Sequence, residues 1–319
     1  MSDYIKQWIA IIENMNNDNT YKLAWGRAIL ELIVELKNVE DNITFTFYDI
    51  GHKMLKYYWN QLFFFDLKQG PKRVPVVVQE TQKCIEYYKE VTASNKPEWF
   101  DKAEVTLKKN PEFYDKQLRV IASTLSHDVC YRFKNANGKK YEVYELDIPK
   151  KEISFSKEEI LDLKDYAYIL AQLLNYRWAQ LLEMFNNSPR IALKVKGISD
   201  AKLKRNSLKK YREILVSQMK DNKVIDFYTG NELDEKDISV DHVIPWSYMY
   251  SDDIWNLVVT SKSLNSQKSN RIPTEDIIEK LEIRNQELLS KIEDSQYYDS
   301  LKIAVDNDYV RKFYTSYKM

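Results

Sequence analysis

The chain has 319 residues, 44% of them hydrophobic and 13% aromatic, which is enough to bury two cores and excludes a disordered protein. Its 48 Lys and Arg balance 48 Asp and Glu, so overall charge gives no sign of a nucleic-acid partner, and any basic surface must be local. Two cysteines, Cys84 and Cys130, without any CxxC pair, exclude a zinc ribbon and argue against a disulfide framework; a cytoplasmic location is expected.

The opening "MSDYIKQWIAIIENMNN" interrupts its apolar residues with Lys and Glu, unlike a signal peptide. The longest apolar runs, "LFFF" and "VPVVV", fall far short of the ~20 residues a membrane span needs, so no membrane partner is expected. Apolar residues three and four apart predict helices over 21–37 and 49–67. Pro75 suits the first turn of a third, over 75–91. Between about 113 and 134 a further helical pattern gives way to "VCYRFKNANGKKYEVYEL", two alternating aromatic-rich runs around "NANG", a hairpin signal. Ser156, with Glu159 three residues on, predicts a capped helix whose stripe of Ala167, Leu170, Leu174, Trp178, Leu181 and Phe185 is buried. The tyrosines and tryptophans of this helix read as core. So do His52 and His127, as core or surface residues without chemistry.

Composition then shifts. From Arg190 to Arg212 there are nine basic residues and one acid, Asp200, a local charge of +8 in a neutral chain. Basic runs are usually solvated helix faces. This one directly precedes the segment "SVDHVIPWS", and on that ground Lys204, Arg205, Lys209 and Lys210 are expected to contact nucleic-acid phosphates.

After it, "ISVDHVI" and "NLVVTS" are short β-branched runs expected to pair as antiparallel strands, and "SKSLNSQKSN" begins a helix with Ser261 or Ser263 as cap. Strand, loop, strand and helix would bring the end of the first strand beside the first helical turns. Phosphodiester hydrolysis needs a base that works near neutral pH and a metal to stabilise developing charge. His242 suits the base. Asp241 stands on the opposite side of the strand, and Asn265 adds a second oxygen. The expected site is hard and oxygen-rich, preferring Mg²⁺ or Mn²⁺ to zinc.

The motifs "YTG", "VDHVIP" and the later Asp, Asn and "KS" positions resemble the HNH endonuclease family, the ββα-metal fold, and most of all the HNH domain of RNA-guided CRISPR nucleases. The resemblance implies that Asp241 and Asn265 are metal ligands and that His242 activates water. It implies that Asn256 braces the loop and orients the histidine, and that Lys268 lies near the phosphate. Two departures stand out: Phe227 occupies a position where relatives often have Cys, which argues against structural zinc, and the final motif residue is Asn265, not His. The latter is normal in the CRISPR-like subgroup and counts against zinc or nickel as the working metal.

The expected fold is α+β: a mostly helical recognition or dimerisation part with a β-hairpin over 1–189, a basic connecting segment over 190–220, the nuclease over 221–280 and a helical extension over 281–319. Nothing in 1–189 carries a P-loop, a Rossmann glycine motif or a second nuclease pattern. The layout resembles HNH-type restriction and phage-defence nucleases. The expected function is therefore a metal-dependent DNA endonuclease of bacterial restriction or defence. Its partners would be DNA, a second copy of the chain if double-strand breaks need two sites, and a partner protein of a defence system. The competing reading is an inactive HNH protein that binds nucleic acid or regulates.

Overall fold

A computed structural model describes residues 1–71, 74–196, 207–217, 219, 223–268 and 271–318. The fold is α+β, with a mostly helical N-terminal part and a small sheet in the C-terminal part. Two compact units form, Met1–Asn186 with Ile191–Lys202, and Asn187–Arg190 with Leu203–Met319. The expected connecting segment, 190–220, is thus divided between them. Among the described residues no helix is long and apolar enough to cross a membrane.

The first unit is organised by the helix Lys157–Glu183, against which Asp3–Asn14 and Tyr21–Glu35 pack. Its start is set by reciprocal capping: Ser156 Oγ accepts from the Glu159 N–H at 3.2 Å, and Glu159 Oε2 accepts from the Ser156 N–H at 2.8 Å. Ala167, Leu170, Leu174, Trp178 and Leu181 are buried, whereas Phe185 lies beyond the helix end and is half-buried. Tyr168 and Tyr176 are 74% and 62% exposed, so the core reading does not extend to them. A second group joins Phe47–Phe65 to Val76–Thr92 and Pro111–Leu125. Large aromatics fill the interior edge to face, as with Trp25 and Phe47 at 5.2 Å and 82°. His52 contacts Glu104 at 2.6 Å, and His127 is exposed.

Two local expectations change. Val129–Arg132 is a helix and not a strand, because Val129, Cys130 and Phe133 meet the core at helical spacing. The hairpin is correspondingly short, Asn135–Ala136 with Lys139–Lys140, and Asn137 and Gly138 take φ of 49° and 71° as its two-residue turn demands. A three-stranded antiparallel sheet of Ile43–Thr46, Glu152–Phe155 and Glu145–Asp147 carried no sequence signal; its strands are too short for a period to show.

In the second unit, Ile238–His242 pairs antiparallel with Leu257–Ser261, and Lys262–Lys268 follows as a helix. Ser261 Oγ accepts from the Leu264 N–H at 3.2 Å, the capping arrangement expected of it. The core of the unit joins Ile238, Val243, Ile244, Leu257 and Val259 to Leu281, Leu288, Leu301, Val310 and Tyr314. The helices Glu275–Leu289, Tyr298–Asp306 and Tyr309–Lys318 therefore share one core with the hairpin.

Gly26 marks the closest approach within the first unit, since a Cβ there would stand 2.8 Å from the Phe133 ring and 3.3 Å from Leu174. Gly26→Val should lower unfolding free energy by about 2 kcal/mol, an overpacking cost that outweighs the gain in helix propensity. Urea denaturation followed by tryptophan fluorescence measures it.

Candidate active site

The strand Ile238–His242 delivers Asp241 and His242 at its end, in register with Val258 and Leu257 of the returning strand. Between the strands the chain makes an excursion through the short helix Trp246–Met249 and the 3-10 turn Ile254–Asn256. Asn256 closes that excursion. Its Oδ1 accepts from the Ile244 N–H at 2.8 Å, its Nδ2 donates to the Ile244 carbonyl at 2.8 Å, and its own carbonyl accepts from the Val243 N–H at 2.9 Å. The side-chain amide stands in for a strand partner, and Asn256 is 1% exposed. Asn285 and the ring of Phe313 hold the preceding residue: Asn285 Nδ2 donates to the Trp255 carbonyl at 2.9 Å, and the Phe313 ring stacks on Trp255 at 5.6 Å and 16°.

His242 faces Asp252 across this loop, Nε2 to Oδ1 at 2.9 Å, with both side chains almost wholly buried. With Nε2–H donating to the carboxylate, Nδ1 carries the lone pair, and it has no partner among the described residues. Asp241 turns to different partners. Its Oδ2 accepts from Tyr228 Oη at 2.5 Å and meets Lys268 Nζ at 2.9 Å, leaving Oδ1 without a partner among the described residues. Lys268 also donates to the His242 carbonyl at 2.6 Å, so one ammonium ties the side chain of Asp241 to the backbone of His242. Burial pulls the Lys268 pKa down, against the opposing pull of Asp241. Burial and the Asp241 charge push the Tyr228 phenol far up, which keeps it a neutral donor.

Asn265 sits on the helix Lys262–Lys268 with its amide nitrogen engaged, donating to Ser239 Oγ at 2.8 Å and to the Val240 carbonyl at 3.1 Å. Its Oδ1 has no partner among the described residues and is a free hard donor. The described residues hold no cluster of three His, Cys, Asp or Glu. A closed structural zinc site does not fit this donor set. Two protein oxygens, Asp241 Oδ1 and Asn265 Oδ1, fit an ion such as Mg²⁺ that keeps most of its water and shares substrate phosphate.

Of the residues expected at phosphates, Lys209 and Lys210 are exposed at the start of the helix Lys209–Ser217, while Lys204 and Arg205 lie outside the described residues. The basic stretch is not one solvated face. Arg190 donates to the Met249 carbonyl at 3.1 Å and meets Asp253 at 3.2 Å, and Lys194 is buried, 5.7 Å over the Phe65 ring.

Three residues of this second unit carry work that the sequence reading left unassigned: Asp252, Tyr228 and Asp226. The Asp226 carboxylate accepts from the N–H groups of Tyr228, Thr229 and Ser261 at 2.8, 2.9 and 2.9 Å, and from Thr260 Oγ1 at 2.8 Å. It pins the turn that presents Tyr228 to the second strand. Its pKa is lowered: burial opposes the charged form, but the donors from Thr229, Thr260, Ser261 and Tyr228 prevail. Both cysteines lie in the first unit. A carboxylate does the tying beside Phe227. Tyr228 and Asp252 stand inside the motif runs, and an acid ten residues after the histidine was the available signal.

This is a ββα arrangement, a hairpin followed by a helix, with Asp241 and His242 ending the first strand and Asn265 on the helix. Residues 226–274 match the HNH endonuclease family. The chain is 36% identical over 83 residues to a CRISPR-associated endonuclease Cas9 of Streptococcus mutans, covering 25% of this chain and 6% of the relative. It is 36% identical over 61 residues to a CRISPR-associated endonuclease Cas9 of Listeria innocua, covering 18% of this chain and 5% of that one. The likeness therefore spans a small fraction of those proteins. No solved structure matches the chain.

Asp226→Asn should destabilise the second unit by about 1–3 kcal/mol at pH 7, since one acceptor oxygen becomes an NH2 group facing two buried donors. A depressed carboxyl contributes stability that is present above its unfolded value and lost as pH falls through the folded one. The cost of the substitution should therefore shrink below about pH 4, near the unfolded Asp value. Urea denaturation at pH 7 and at pH 3 reads the difference.

Proposed function

We propose that this protein is a metal-dependent DNA endonuclease acting in bacterial restriction or anti-phage defence. The carrying observation is His242 held through Nε2 by Asp252, which leaves Nδ1 without a partner among the described residues, at the end of the strand that also carries Asp241 and whose Val240 carbonyl accepts from Asn265. In this reading Asp241 and Asn265 hold Mg²⁺ or Mn²⁺, which when bound supplies Lewis-acid stabilisation of charge on the scissile phosphate and leaving oxygen. His242 Nδ1 takes the proton of the attacking water. Asp252 fixes the imidazole tautomer and balances the charge that the ring acquires. Asn256 holds the backbone after His242, and Lys268 stands where it can also meet a phosphate oxygen. Lys209 and Lys210, with Lys204 and Arg205, would contact flanking phosphates, which carry no sequence information. The defence role is inferred from the likeness to two CRISPR-associated endonucleases.

Purified protein incubated with supercoiled plasmid and Mg²⁺ or Mn²⁺ should nick or linearise it, and EDTA should stop the reaction. His242→Ala should lower the rate by roughly 10²–10⁴-fold, as loss of a general base does. Equal cleavage by that variant, or no cleavage with either metal, would sink the reading.

Asp252→Ala tests the positioning role. The expected result is a fall in kcat of roughly 10–100-fold with KM little changed, and partial rescue by Asp252→Asn, whose Oδ1 can still accept from Nε2. An unaltered kcat in Asp252→Ala would show that the imidazole is oriented by other means.

A further inference from the structure

The helix Lys157–Glu183 is apolar on two sides. Leu163, Leu170, Leu174 and Trp178 are buried in the first unit. Leu161, Tyr168, Ile169 and Tyr176 face outward, at 46%, 74%, 58% and 62% exposure. Met184, the C-cap and still in the right-handed helical region, is 77% exposed. From Leu161 to Tyr168, from Ile169 to Tyr176 and from Tyr176 to Met184 each step is two helical turns, so these side chains form one stripe. Along the other described helices, exposed large apolar side chains come singly. Single ones are ordinary on a surface, whereas a contiguous stripe marks a contact. A helix that is apolar on opposite sides calls for a cover on each.

Area and charge say what covers the outer side. The helix has 27 residues and is about 40 Å long. At these exposures the five side chains leave on the order of 600 Å² open, near the ~800 Å² per partner of a stable interface. Gln172 and Gln180, half-buried between them, widen the stripe. Basic and acidic residues alternate along the helix, Lys157 with Glu158, Lys164 with Asp165 and Arg177 with Glu183. That mixed field does not favour a nucleic acid. The stripe is, however, its own complement. A two-fold axis crossing the helix beside Gln172 sets Leu161 against the copy's Met184 and Ile169 against the copy's Tyr176. It also brings Tyr168 and Asp165 within one turn of the copy's Arg177, so the Asp165 carboxylate and the Tyr168 ring both meet a cation.

We propose that the chain pairs with a second copy of itself through this stripe, the two helices running antiparallel across a two-fold axis beside Gln172. The contact lies on the first unit and does not depend on the nuclease reading.

Sedimentation equilibrium of the full chain, from micromolar to hundred-micromolar concentration, tests it. The expected particle has twice the 38.0 kDa of one chain. Tyr168→Glu and Tyr176→Glu, at exposed positions, should each keep the folded circular dichroism spectrum and weaken the dimer at least tenfold. Using both variants means that a folding defect in one does not decide the matter. Cross-linking reads the direction of the helices. Gln172→Cys, beside the axis, should form a disulfide with its own copy when oxidised with copper phenanthroline. Leu161→Cys, far from the axis, should not. The native Cys84 and Cys130 are buried and do not interfere. A monomer at every concentration assigns the stripe to a different protein and overturns the proposal. A dimer that both glutamate variants retain uses another surface and overturns it too. Cross-linking through Leu161→Cys means parallel helices and overturns the antiparallel pairing.

Discussion

A single buried carboxylate fixes the geometry on which the candidate site rests. Asp226 collects donors from its own turn and from the end of the second strand, so the turn and the hairpin become one rigid piece. Fully satisfied buried polar groups specify one arrangement, because every alternative leaves a donor or the charge unpaired. Tyr228 leaves this turn aimed at Asp241. The acceptor strength of Asp241 is thereby set by a neutral phenol and an ammonium, with one carboxylate oxygen left over for other work.

Support on the histidine side comes from farther along the chain. Trp255 is held by the ring of Phe313 and by the amide of Asn285, and it places Asn256 against Ile244. The residues after the family match, which ends at 274, therefore belong physically to the second unit, since they supply more than a third of its described buried core. Arg311 adds to this by meeting Glu275 and Glu282 at 2.7 Å each. Those pairs are largely exposed and contribute little beside the burial of Leu281, Leu288 and Leu301.

Legibility in the sequence followed the length of the signal. The helix Lys157–Glu183 was visible because both its capping box and its stripe repeat over many turns. The hairpin at Ile238–His242 and Leu257–Ser261 was visible as β-branched runs around a motif. Val129–Arg132 was misjudged because four residues fit a period of two as readily as one of 3.6. At the site, Asp241, His242, Asn256, Asn265 and Lys268 were legible as a spaced pattern, and the structure shows where each side chain goes. Asp252 and Asp226 escaped because what distinguishes them is the partner they meet across a loop or turn, which spacing does not encode. Along the basic run from Arg190, charge in the sequence does not say which cations are already engaged. Arg190 and Lys194 are.

The way Asn256 closes the excursion after Ile244 bears on how such a unit can diversify. A loop whose base is sealed by a side chain is insulated from changes at its tip, and lengthening it costs only about 0.6 kcal/mol per doubling. Ser247 to Tyr250 are buried, so such lengthening is confined to the half-buried stretch from Ser251 to Asp253. Such variation is bounded at one point, Asp252, which must still return to the imidazole. The excursion is thus tied at both ends and in its middle, and only one short stretch of it can vary while the strand ends that carry Asp241 and His242 stay paired.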